Sequence, residues 1–131
     1  MVKLNKIAPT PAADSASDDI LLDITDLSVE FWTELGVKQA INHLNLTIRK
    51  GEALGLVGEA GAGKTSTALA ILRLLQPKVS KVVSGSIYYK GVDMATYSEK
   101  QMQNLRGNNI SMIFQNPLTS LNPVFTVGEE L

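Results

Sequence analysis

The run Gly58-Glu59-Ala60-Gly61-Ala62-Gly63-Lys64-Thr65 sets three glycines, a lysine and a hydroxyl at the spacing G-x-x-x-x-G-K-S/T. That spacing belongs to loops that hold phosphate groups. Backbone N–H groups converge on the anion, and glycine lets the chain bend sharply without a Cβ in the way. Glu59, Ala60 and Ala62 would contribute backbone to such a cradle, and Ser66 follows them into the first turn of a helix. The Lys64 ammonium would reach the terminal phosphates, and the Thr65 hydroxyl would take one position on Mg²⁺.

The flanking elements must aim this loop. Ala53-Leu54-Gly55-Leu56-Val57 is a short apolar stretch without polar alternation, which predicts a parallel strand covered on both faces. After the loop, Ala68, Leu69, Ile71, Leu72 and Leu75 repeat at helical spacing as far as Pro77, predicting a helix over 65–75. Strand, glycine loop and helix then follow in the order that points the helix N-terminus at a bound phosphate. The bland alternative, a glycine-rich turn between a strand and a helix, explains neither the lysine nor the hydroxyl. Nucleotide binding is the better reading.

A second candidate lies further on. Gln115 follows the apolar run Ile110-Ser111-Met112-Ile113-Phe114, which predicts a strand whose end would carry functional groups in an open α/β sheet. A glutamine there can ligate Mg²⁺ through its carbonyl oxygen and orient water with its amide. Taken alone, a glutamine at a strand end is more often an ordinary loop residue.

Bulk properties narrow the class. A chain of 131 residues is one modest domain or part of a larger one. A net charge of −1 gives no sign of a nucleic-acid or membrane-surface binder driven by charge. The chain has no cysteine, which removes disulfides and thiolate metal sites and fits a reducing compartment. No apolar stretch approaches the roughly 18 residues of a membrane span, and no apolar core follows Lys3 and Lys6 to make a signal peptide.

Along the chain, residues 1–19 are poor in large apolar side chains and read as a disordered leader. Residues 20–131 form the domain. Leu27, Val29 and Phe31 alternate with Ser28 and Glu30, and Ala40 to Ile48 alternates again between turns at Gly36 and Gly51, predicting an antiparallel layer ahead of the phosphate loop. Val82 to Tyr89 returns to that layer and Lys90-Gly91 closes it. Ser98 with Gln101 predicts a capping box for a short helix to about Leu105, and Thr126 with Glu129 predicts a second.

The segment Met112-Ile113-Phe114-Gln115-Asn116-Pro117-Leu118-Thr119-Ser120-Leu121-Asn122-Pro123 resembles the Q-loop of ATP-binding cassette (ABC) transporter ATPases. More narrowly, it is similar to the oligopeptide/dipeptide/nickel importer subfamily, whose Q-loop reads F-Q-D/N-P-x-x-S-L-N-P. Leu46-Thr47-Ile48-Arg49-Lys50-Gly51-Glu52, Leu56-Val57-Gly58-Glu59, Ser84-Gly85-Ser86-Ile87 and Gly91-Val92-Asp93 also look like the family, so the likeness spans residues 22–131.

The resemblance implies an α/β fold of the ABC-type phosphate-loop NTPase, N-terminal part: an antiparallel β layer plus the start of a parallel core sheet with helices. It implies ATP and Mg²⁺ as cofactors, with Thr65 and Gln115 on the metal. An aromatic residue ending the first strand would stack on adenine; Phe31 fits best, with Trp32 its neighbour. The implied partners are a second ATPase subunit, permease subunits met by the region after Gln115, and indirectly a substrate-binding protein, with no nucleic acid. The implied place is the cytoplasmic face of the cell membrane, as a peripheral subunit.

Two departures qualify the likeness. Ala60 and Ala62 stand where most subfamily members have serine, which removes one or two hydroxyl contacts to phosphate but keeps the backbone donors, implying weaker binding and not its loss. The family also continues into an L-S-G-G-Q signature, a strand ending in Asp-Glu (Walker B) and a switch histidine. None occurs in these residues, and the only histidine, His43, sits in the early layer. No catalytic residue is therefore assigned, and the expected function is that of the ATP-binding N-terminal portion of an importer. The alternative is a truncated, non-catalytic chain that binds nucleotide or docks on a permease. A soluble ABC ATPase of DNA repair or translation lacks the double-proline tail, and a kinase-type enzyme lacks the antiparallel layer. With apolar strands short of cover, the 131-residue chain by itself is expected to be poorly soluble and to show negligible ATP hydrolysis. Robust turnover that disappears in Lys64→Ala would overturn this.

Overall fold

The structure, a computed structural model, describes residues 3–5 and 19–114. Chain order is β1 (Lys3–Asn5), β2 (Ile20–Thr33), β3 (Gly36–Arg49), β4 (Gly55–Val57), α1 (Lys64–Ile71), β5 (Ser80–Tyr89), β6 (Val92–Asp93), a 3₁₀ turn at Met94–Thr96 and α2 (Glu99–Leu105). The large sheet has the order β3-β2-β5-β6 and is antiparallel throughout. A second sheet pairs β1 with β4, also antiparallel.

The long strands keep one face apolar by means of bulges. On β2 the buried positions are Leu22 and Ile24, then Leu27 and Val29, so the two-residue period slips once between them. The register takes up the extra residue there, where Asp26 adopts φ 53°. On β3 the slip falls between Ile41 and Leu44, where His43 adopts φ 48°. Left-handed backbone is costly for residues with a Cβ, and local bonds hold both in place. His43 pairs with Asp26 through Nδ1 and Oδ1 at 2.5 Å, and the His43 N–H donates to Ser28 Oγ at 3.0 Å. Each bulge flips the alternation back toward the core.

That core joins β2, β3 and β5, through Leu27, Val29, Ile41, Leu44, Ile87 and Tyr89, to Ala70 of α1 and to Met94, Met102 and Leu105. Full burial of side chains this size stabilises by about 1.5–3 kcal/mol each. Among the described residues, no buried side-chain nitrogen or oxygen lacks a partner.

Three expectations need correction. Helix α1 ends at Ile71, well short of Leu75. Arg73 takes a left-handed φ of 52°, its N–H donates to Ala70 O at 3.0 Å, and the Leu74 N–H donates to Leu69 O at 2.8 Å. Those bonds form a Schellman stop, so the helix closes before Pro77 can act. The run at 110–114 forms no strand: Ile110 makes a single bridge to Arg106, and Ile113 is 94% exposed. A strand needs a neighbouring ladder, and none lies beside it among the described residues. For the same reason the parallel core sheet is not seen there, and β4 is only half covered, with Val57 exposed.

Other features match. Ser98 and Gln101 form the reciprocal capping box that starts α2, and β5 returns to the first layer beside β2. Within 1–19, Lys3–Asn5 pairs with β4 and Asp19 precedes β2; the remainder of that segment, and the helix start at Thr126, lie outside the described residues.

Arg106 ties α2 to the end of α1. Its Nε donates to Leu72 O at 2.8 Å, Nη2 to Arg73 O at 3.2 Å and Nη1 to Glu99 Oε1 at 2.6 Å. A cation on the last carbonyls of a helix satisfies open acceptors and opposes the dipole. Arg106→Ala should cost about 2–3 kcal/mol in urea unfolding, whereas Glu99→Ala, removing the exposed half of the pair, should cost less than about 1 kcal/mol. Gly85 offers a second test. A Cβ there would lie 2.5 Å from backbone atoms of Asp26 and Leu27, at φ 89°. Gly85→Ala should cost about 3 kcal/mol or more, against about 1 kcal/mol for Gly36→Ala, where a Cβ meets open space.

Candidate phosphate-binding site

The loop between β4 and α1 owes its shape to two of its glycines. Gly61 and Gly63 lie at φ 79° and 89°, while Gly58 is not among the left-handed residues. Gly63 is also a packing requirement: a Cβ there would stand 2.3 Å from the Ala40 carbonyl oxygen and 3.5 Å from Ile41 Cγ1. Ala40 is the extra residue where the β3 register advances by two against one on β2, between the pairs Val29–Ile41 and Glu30–Gln39. The bulged strand and the loop thus meet backbone to backbone, as only glycine allows.

Gly63 caps α1 without a side-chain oxygen, and the first turn carries no acidic residue. The leading N–H groups of a helix have no partner within it, so Lys64, Thr65 and Ser66 present donors at its positive end. The Ala62 N–H is used inside the loop, donating to Glu59 O at 3.1 Å. Behind the loop, the buried Thr67 holds the Gly63 carbonyl through its N–H at 2.8 Å and its hydroxyl at 2.9 Å.

Lys64 Nζ donates to Gly58 O at 2.6 Å and to Glu59 O at 2.8 Å. An ammonium has three donors; two fix it at the loop and one remains for an anion. Thr65 is exposed in the first turn. Glu59, Ala60 and Ala62 lie in the loop as the sequence places them, and both alanines bring only backbone to it.

The aromatic candidates separate by face. Phe31 is half-buried against the core and stands opposite Lys38. Directly opposed residues of a ladder share a face. Lys38 Nζ lies 3.8 Å from where a Gly61 Cβ would be, so this is the face turned to the loop. Trp32 stands opposite Val37, one step along, and is 45% exposed. Lys64, Thr65 and Ser66 stand together at the start of α1, Phe31 stands across the strand pair from Lys38, and Gln115 lies outside the described residues. Lys38 is the residue that sequence reasoning missed; the signal was its register opposite Phe31, visible only once the hairpin is paired. Among the described residues no cluster of His, Asp and Glu could hold a metal, and no helix is long and apolar enough to cross a membrane.

Comparison with known proteins extends these observations. The chain is 49% identical over 113 residues to a probable peptide ABC transporter ATP-binding protein of Sinorhizobium fredii, covering 86% of this chain and 34% of that protein. It is 45% identical over 111 residues to the oligopeptide transport ATP-binding protein OppD of Bacillus subtilis, covering 85% and 31%. With OppD of Salmonella typhimurium it shares 44% over 124 residues, covering 95% and 35%. The chain spans about a third of the length of these relatives. The family described as ABC transporter matches residues 41–130, which takes in the bulged half of β3, the glycine loop, α1 and the glutamine segment together, and the chain belongs to that family.

Proposed function

We propose that this chain is the nucleotide-holding part of an ATPase subunit that powers the import of oligopeptides or dipeptides. The observation that carries the reading is the loop itself. Left-handed Gly61 and Gly63 turn the uncapped start of α1 outward, with Lys64 fixed at its side by two carbonyls. An apolar or cationic ligand gains nothing from such a site, whereas a phosphate chain meets N–H groups, a helix dipole and an ammonium together. The peptide specificity rests on the relatives, whose names specify peptide or oligopeptide transport.

In this reading Gly58, Glu59, Ala60, Gly61, Ala62 and Gly63 wrap the phosphates through their backbone, Lys64 neutralises the terminal ones, and Ser66 continues the row of donors. Phe31 supports the adenine ring from the loop-facing side of the sheet, a role its half-buried position suits better than the outward Trp32.

Mg²⁺ suits the same donor set. Thr65 is exposed, and none of the hydrogen bonds among the described residues engages its hydroxyl. Magnesium commonly takes one or two protein oxygens and completes its shell with phosphate oxygens and water. Thr65 and Gln115 would be those protein ligands, and the ion would offset charge on the phosphate chain.

The parallel core sheet would assemble on β4. Gln115 and the residues after it would meet the permease, and a second ATPase subunit would complete the nucleotide site at the cytoplasmic face of the membrane.

The test is equilibrium binding of ATP with magnesium to the purified protein, paired with uptake in cells. Lys64→Ala should weaken ATP binding at least about tenfold, and the same substitution in the chromosomal copy should abolish uptake of a labelled oligopeptide. Unchanged ATP affinity would overturn the nucleotide assignment, and unchanged peptide uptake alongside lost ATP binding would overturn the transport assignment.

A further inference from the structure

A second cation stands at the phosphate loop, supplied by a different element. Lys38 lies on β3, directly opposite Phe31 on β2. Its Nζ lies 3.8 Å from the position a Cβ would occupy on Gly61, at the left-handed bend of the loop. Lys64 holds the other side, at the carbonyls of Gly58 and Glu59. The two ammonium groups therefore flank the loop from separate supports, one at the start of α1 and one on the sheet.

Nothing else accounts for the placement of Lys38. No carboxylate among the described residues pairs with Lys38, in contrast to Asp26 with His43 and Glu99 with Arg106. Its cross-strand neighbour is an aromatic ring. An exposed ammonium beside the left-handed bend at Gly61 raises the local positive potential. Such a bend attracts anions in its own right. Ala60 and Ala62 bring no hydroxyl to the loop, which leaves Lys64 and Thr65 as its own side-chain contacts for a bound anion.

The Ala40 bulge fixes the distance. The contact of Gly63 with the Ala40 carbonyl pins β3 to the loop two residues from Lys38. Lys38 needs only its own side-chain freedom to stay within reach.

We propose that Lys38 is a nucleotide-binding residue that contacts the phosphate chain across from Lys64, its stem lying on the side of the sheet where Phe31 meets the base. The proposal rests on the reading of 58–65 as the phosphate cradle and adds to it a charged contact from the antiparallel sheet.

Calorimetry on the purified protein tests it, using ATP and inorganic tripolyphosphate as ligands at low and physiological salt. Lys38→Ala should weaken both ligands about fivefold and flatten the salt dependence, while Lys38→Arg should keep wild-type affinity. Lys38 is exposed, so an unchanged unfolding midpoint is expected alongside. Unchanged affinity for both ligands in Lys38→Ala overturns the proposal. So does a loss seen with ATP and not with tripolyphosphate, which would make Lys38 a cover for the base. An ATP affinity indifferent to Lys64→Ala overturns the underlying cradle instead, and is read from a separate protein.

Discussion

The backbone contact between Gly63 and Ala40 is the constraint on which the rest of the site depends. At 2.3 Å from a would-be Cβ to the Ala40 oxygen, no other residue type fits without moving either the loop or the strand. This contact joins the antiparallel sheet to the start of α1. Through it the bulge in β3 sets where Lys38 sits relative to the glycine loop, and Thr67 holds the Gly63 carbonyl from behind. A glycine usually explained by room for phosphate is here explained as much by room for a neighbouring strand.

The opposite end of α1 is governed by charge. Arg73 accepts a left-handed conformation and donates to the Tyr97 and Met94 carbonyls at 2.7 and 3.3 Å. Arg106 reaches back to the carbonyls of Leu72 and Arg73. The Arg106 guanidinium thus takes up open acceptors of the helix end, and the Arg73 guanidinium joins that end to the 3₁₀ turn before α2. With no acidic or side-chain cap at its positive end and the Arg106 cation on the carbonyls of its negative end, the short helix has its dipole opposed at the C-terminal side. Its eight residues would form no stable helix in isolation, so its stability comes from these attachments and from the buried Ala70 and Thr67.

Local chemistry was legible where it involves neighbours in sequence. The capping box at Ser98 needs only residues three apart, and the glycine loop only eight in a row; both are found where the pattern puts them. The end of α1 was misjudged because Pro77 is the louder stop signal, while the actual stop at Arg73 uses a residue type that rarely turns left-handed. The run at 110–114 carries the composition of a strand, yet composition describes a surface to be covered, and no ladder covers it among the described residues. The stretch from Ala40 to Ile48 reads as alternating in the sequence, and the structure breaks the alternation at His43, because a bulge is decided by how partner strands register.

By itself, the sequence determined the position of the glycine loop between strand and helix, the antiparallel layer ahead of it and the family, since each depends on residue types at short fixed spacings. Only the tertiary structure decided that Phe31 packs toward the core opposite Lys38 while Trp32 is exposed, that Gly63 must be glycine because of Ala40, and that Lys38 stands beside Gly61. Those relations join residues far apart in sequence through strand register, and register is set by the summed fit of whole faces, which no local spacing encodes.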